Sequence, residues 1–134
     1  MSGDTSTPSG PTILIVEDNE LNLKLLNDLL EYHGYTILAT SLGEAAVELA
    51  RQHKPDLILL DIQLPDISGL EAARRLKAEE QTRAIPIIAL TAFAMQGDET
   101  KVLASGCDVY VAKPFNVAEL INMIARYTRQ EGRS

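Results

Sequence analysis

The amino-acid sequence predicts an α/β domain, a five-stranded parallel sheet of order 2-1-3-4-5 with helices on both faces. Three observations predict it. Short apolar runs alternate five times with amphipathic stretches along 134 residues, a length that suits one domain. The runs are continuous rather than alternating in polarity, as parallel strands covered on both faces should be. Right-handed crossovers leave few topologies for such a chain, and a doubly wound sheet is one of them.

Residues 1–11 are mostly Ser, Thr, Gly and Pro and bury too little to offset the entropy of ordering, so a flexible tail is expected there. The first strand is expected at 13–16. The helix after it carries Leu21, Leu25 and Leu29 on one four-residue spacing and Leu26 and Leu30 on another, and Gly34 is placed to stop it. The second strand, at 35–39, leads into a helix with Leu42, Ala45, Ala46, Leu49 and Ala50. The third strand, at 57–60, precedes a helix with Leu70, Ala73 and Leu76. The fourth, at 85–90, is followed by a short helix over 98–105 with Gly106 at its end. The fifth, at 109–111, leads to a helix starting at Asn116, with Glu119 three residues on as in a capping box. That helix shows the stripe Val117, Leu120, Ile121 and Ile124. The domain is expected over 12–130, with no internal repeat and no output domain after the fifth helix.

With 46% hydrophobic residues the chain can build a core. Its net charge of -7 argues against nucleic acid as a partner, since phosphate backbones are bound by basic patches. No stretch is apolar and long enough to cross a bilayer, so no membrane partner is expected, and the N-terminus lacks the features of a signal peptide. A lone cysteine, Cys107, excludes an internal disulfide and reads as packing at a strand start. The expected location is the cytoplasm.

The residues that follow the strands carry the chemistry. Strand 1 ends in Glu17 and Asp18, strand 3 in Asp61, strand 4 in Thr91, and strand 5 leads to Lys113 and Pro114. Singly, each has a plain reading: acids and hydroxyls suit turns, and a lysine suits water. The order 2-1-3-4-5 would bring all of them to one rim, where ligands of such sheets bind. Carboxylates ~5 Å apart repel by about 3 kcal/mol at an effective dielectric near 20, so three together call for a cation. Oxygen-only ligands suit Mg²⁺, which is typically shared with a phosphate. Asp61 is then the candidate nucleophile, forming an aspartyl phosphate. Asp18 would hold the metal, Glu17 would act through a water, and the Gln63 main chain would add a carbonyl. Thr91 and Lys113 would each take a phosphoryl oxygen.

The strings "LIVEDN", "LILLDIQLPDISGLE", "IPIIALTAFA" and "VYVAKPF" resemble the receiver domain of bacterial response regulators, from about Thr12 to the end of the fifth helix. The resemblance implies phosphorylation of Asp61 by a sensor histidine kinase or a phosphotransfer protein. It implies Mg²⁺ on Asp18, Asp61 and the Gln63 carbonyl with Glu17 in support, and Thr91, Lys113 and Tyr110 as switch residues with a cis bond before Pro114. It places the phosphodonor near residues 22–26 and the 114–115 loop, and the downstream target on the face of the fourth helix, fifth strand and fifth helix. Finer strings, "VEDNELN" and "TAFAM", are similar to those of receivers in cell-division control. Glu17 departs from the Asp that many receivers carry there, and Gln63 and Phe93 occupy positions that influence how fast the phosphoryl group is lost.

Three other functions compete. An aspartyl-phosphate phosphatase needs a second Asp two residues past the nucleophile, and Gln63 stands there, unable to act as general acid. A flavin carrier needs a donor-rich loop after strand 1, and "EDNE" repels phosphate. A receiver-like adaptor that is never phosphorylated would not need the full set of site residues.

Overall fold

The computed structural model describes residues 10–91, 98–112 and 116–128. Strands and helices alternate as expected: β1 (Thr12–Val16), α1 (Glu20–Tyr32), β2 (Thr36–Thr40), α2 (Gly43–His53), β3 (Leu57–Asp61), α3 (Gly69–Ala78), β4 (Ile87–Thr91), α4 (Asp98–Ala104), β5 (Val109–Ala112) and α5 (Val117–Thr128). All neighbouring strands are parallel, and the sheet order is β2-β1-β3-β4-β5.

Alternation along each strand sorts the core into two layers. Leu14, Val16, Ile58, Leu60, Ile87 and Ala89 face α2 and α3, where Ala46, Val47, Ala50, Ala72, Ala73 and Leu76 meet them. Ile13, Ile15, Leu57, Leu59, Ile88 and Leu90 face the other way, onto Leu26 and Leu30 of α1 and Leu120 and Ile124 of α5. The alanines on α2 and α3 let those helices lie close to the sheet. Truncating a fully buried leucine of β3 to alanine would cost about 2–5 kcal/mol.

Local chemistry starts and stops the helices. Asn19 Oδ1 accepts the Asn22 N–H at 3.0 Å and caps α1. Gly34, at φ 94°, ends that helix in a conformation other residues resist. Ser68 Oγ accepts the Glu71 N–H at 3.1 Å, and Asn116 Oδ1 accepts the Glu119 N–H at 3.0 Å, as the expected capping box requires of its first residue.

The structure differs from the sequence reading in five places. β2 runs one residue later than expected, and Tyr35 lies before it, its hydroxyl hydrogen-bonded to that of Thr128 at 3.2 Å. β4 begins at Ile87, because Ile85 sits in a turn where Lys77 Nζ takes its carbonyl at 2.8 Å. The edge strands are not covered on both faces: Thr36 and Ala39 are exposed, and β5 is half-buried throughout. On α1 the two leucine spacings part company: Leu26 and Leu30 are buried, while Leu21 is 79% and Leu25 52% exposed. Gly10 and Pro11, at the end of the expected tail, already lie against the domain, with the Pro11 carbonyl accepting the Thr36 N–H at 3.0 Å. Among the described residues no helix is long and apolar enough to cross a membrane.

Candidate functional site

Strand register brings those of the expected residues that are described, at the ends of β1, β3 and β4, to one end of the sheet. Val16 pairs with Leu60, so Glu17 and Asp61 continue adjacent strands at one level. Asp61 pairs with Leu90, and the next residue, Thr91, pairs with Ala112, the residue before Lys113. The carboxyl ends of β1, β3, β4 and β5 therefore converge. Lys113, Pro114, Phe115, Phe93 and the side chain of Thr91 lie outside the described residues.

Glu17 is 1% and Asp61 5% exposed, so two carboxylates are buried side by side on the central strands. Each is shaped by an amide two residues further on: Glu17 Oε2 accepts the Asn19 N–H at 3.1 Å, and Asp61 Oδ1 accepts the Gln63 N–H at 3.0 Å. Backbone pairing holds both residues in place, through Glu17 N–H to the Thr40 carbonyl and Ile62 N–H to the Leu90 carbonyl, each at 3.0 Å. Asp18, the residue after Glu17, is exposed.

Among the described residues no group of three or more acidic, His or Cys side chains is arranged to hold a metal ion by itself. Glu17 is buried and accepts the Asn19 amide, and Asp18, the next residue, is exposed. Mg²⁺ needs less, since it usually takes one or two carboxylates and keeps several waters. Buried Asp61, exposed Asp18, buried Glu17 and the main-chain oxygen of Gln63 are all oxygen donors, the kind of donor that suits such an ion.

The loop after Asp61 is folded tightly against it. The Gly69 N–H donates to the Ile62 carbonyl at 2.7 Å, and a Cβ on Gly69 would run into the Asp61 carbonyl oxygen. Sequence reasoning missed a second anchor of this loop, Asp66. Its Oδ1 accepts the Gly43 N–H at 2.8 Å and its Oδ2 the Glu44 N–H at 2.9 Å, at the start of α2. The Glu44 N–H, then that of Gly43, holds this carboxyl below the usual range. Leu42 takes the cap position of α2 and makes no side-chain hydrogen bond, which leaves these amides to an acceptor from outside the helix.

Tyr110 is half-buried on β5 and packs against the core layer under α2 and α3. It also lines a cavity of about 400 Å³ with Val111, Ala112, Asn116, Leu120 and Met123, between β5 and the start of α5.

A parallel sheet with buried acids at the carboxyl ends of its central strands defines a class, and the sequence comparison agrees: the chain belongs to the response regulator receiver domain family, which matches residues 13–125. It is a receiver domain of two-component signalling. Over 116 residues it is 53% identical to the polar-differentiation response regulator DivK of Brucella ovis, covering 87% of this chain and 94% of that protein. DivK of Brucella abortus matches to the same extent. The fold is similar to the receiver domain of a Pseudomonas aeruginosa sensor histidine kinase, solved with magnesium coordinated in its active-site cleft. That structure has a TM-score of 0.83 and 41% identity, covering 89% of this chain and 98% of the other. The receiver of a Saccharomyces cerevisiae response regulator, co-crystallised with its histidine phosphotransfer protein, has a TM-score of 0.82 and 32% identity and covers 91% of each chain.

Proposed function

We propose that this receiver is a phosphorylation switch, in a two-component or phosphorelay pathway that controls cell division, with Asp61 as phosphoacceptor. The observation that supports this most is the buried Asp61 carboxylate at the end of the central strand, beside Glu17 and oriented by the Gln63 amide.

The donor is a phosphohistidine on a sensor kinase or phosphotransfer protein. An Asp61 oxygen forms the new O–P bond as the donor's N–P bond breaks, and the imidazole nitrogen keeps the electron pair and takes a proton from water. Asp18, Asp61 and the Gln63 carbonyl would hold Mg²⁺, supported by Glu17, and the ion when bound neutralises charge on the transferring phosphoryl group. The Thr91 hydroxyl and the Lys113 ammonium bind phosphoryl oxygens of the product. Movement of Thr91 toward the phosphate opens space for Tyr110 to turn inward, and the loop at Pro114 follows. The face of α4, β5 and α5 then changes, and the cavity beside Tyr110 supports a protein target there.

On the donor side, α1 exposes Leu21 and Leu25, and Tyr32 further along is also exposed, which gives a docking helix apolar surface to cover. The yeast receiver co-crystallised with its phosphotransfer protein supports a donor of that kind. The DivK relatives, named for polar differentiation, support the pathway. Such a switch acts in the cytoplasm and turns over no separate substrate; its only chemistry is its own phosphorylation and dephosphorylation.

The test is labelling with acetyl phosphate and Mg²⁺. The wild type is expected to gain label and Asp61→Asn to gain none, with chelation of Mg²⁺ abolishing the wild-type signal. Equal labelling of the two proteins would overturn the assignment and favour the adaptor reading.

A further inference from the structure

The segment between Asp61 and α3 carries Gln63, yet its strongest tie is to a different helix. Both oxygens of Asp66 are engaged by the first two amides of α2, 23 and 22 residues away in the chain. These amides have no local partner of the usual kind, because Leu42 at the cap position makes no side-chain hydrogen bond. Ile67 adds a second contact on the same spot: a Cβ on Gly43 would meet Ile67 Cγ1 at 2.6 Å. At its far end the loop is closed by Gly69, whose amide binds the Ile62 carbonyl at 2.7 Å. The loop is thus fixed at α2 and at the root of α3, with Gln63 between Asp61 and the α2 anchor.

We propose that Asp66 is a positioning residue, a cap for α2 supplied in trans that holds the 62–68 loop so that Gln63 keeps its amide on Asp61 and its carbonyl at the metal position. The role of the carbonyl rests on the phosphoacceptor reading above; the grip on the Gln63 amide does not. A carboxylate suits the task because its two oxygens match two successive helix amides and its charge complements the positive end of α2. The arrangement ties the acceptor loop to α2 as well as to its own strand.

Amide exchange followed residue by residue on the metal-free full chain tests this. In Asp66→Ala, exchange at Gly43 and Glu44 is expected to rise at least ~10-fold as the cap is lost, and exchange at Gln63 to rise with it. Asp66→Asn, which keeps one acceptor oxygen, is expected to recover part of both. Thr82→Ala removes a buried hydroxyl bonded to the Leu76 carbonyl and serves as a destabilised control; it is expected to leave Gln63 exchange in step with the rest of the domain. In titrations with Mg²⁺ alone, Asp66→Ala is expected to bind several-fold more weakly than Thr82→Ala. If Gly43 and Glu44 exchange faster but Gln63 does not, Asp66 only caps α2 and the proposal falls. If wild type takes no label from acetyl phosphate, the phosphoacceptor reading falls, while the exchange result still decides whether Asp66 holds the loop.

Discussion

The two ends of the sheet use the same residue type in opposite ways. At the amino end, Asp56 precedes β3 and Asp108 precedes β5, and each reaches sideways to the first amide of the neighbouring strand. Asp56 Oδ2 accepts the Thr12 N–H, and Asp108 Oδ2 the Ile87 N–H, both at 2.8 Å. Lys77 joins this end from α3, with Nζ bonded to the Ile85 carbonyl at 2.8 Å and to Asp108 at 3.4 Å. At the carboxyl end, Glu17 and Asp61 accept amides from two residues further along their own loops. Acids at one end fasten strands together across the sheet. Acids at the other shape loops around a point where a ligand of such a sheet arrives.

Exchanging the perturbation between the ends tests this contrast most severely. Asp61→Asn is expected to lose all label from acetyl phosphate while the protein stays folded. Asp108→Ala is expected to do the reverse: it leaves the Ile87 amide and Lys77 short of an acceptor, costs about 1–3 kcal/mol in urea unfolding, and keeps its label. If Asp108→Ala lost label as fully as Asp61→Asn, the two ends would not be separable.

A smaller effect comes from acid. Asp66 is held below the usual carboxylate range chiefly by the Glu44 amide, and Glu79 chiefly by hydrogen bonding from the Arg51 guanidinium. A depressed folded-state value means that the stability these groups supply is complete above their unfolded values, about 3.9 for Asp and 4.3 for Glu, and is lost as pH falls through the folded ones. The double variant Asp66→Asn, Glu79→Gln is therefore expected to melt lower than wild type at pH 7 and to show a shallower fall in Tm below about pH 4. The smallest effect concerns Cys107 at the closed amino end. It is 5% exposed and burial pushes its thiol up, so a thiol reagent at pH 8 is expected to react ~100-fold more slowly with native protein than in denaturant.

Much of this was legible in the sequence. Continuous apolar runs marked β1, β3 and β4, and acids at the ends of β1 and β3 pointed to the rim, because strand direction decides which end receives ligands. The edge strands were harder: β2 and β5 are as apolar as their neighbours in sequence, but each has a strand on one side only and less helix above it. Leu21 and Leu25 repeat with the same spacing as Leu26 and Leu30, so periodicity alone did not tell which pair faces the core. Asp66, Asp108 and Lys77 escaped because their partners lie 6 to 31 residues away along the chain. No local pattern reports such a bond. For Asp66 the local sequence pointed elsewhere, because Ser41 and Glu44 have the spacing of an ordinary capping box, and only the structure puts Leu42 at the cap position without a side-chain bond.

The bond between Tyr35 and Thr128 has a mechanical consequence. It pins the last turn of α5 beside the foot of β2, while the first turn, at Asn116, lies toward the carboxyl end of β5 at the opposite end of the sheet. A rod clamped at one tip and pushed at the other swings as a lever. Displacement starting near the rim would thus be greatest around Asn116 and Glu119 and would fade toward the fulcrum at Thr128, so a binding partner that senses the swing has most to gain by gripping the first half of that helix.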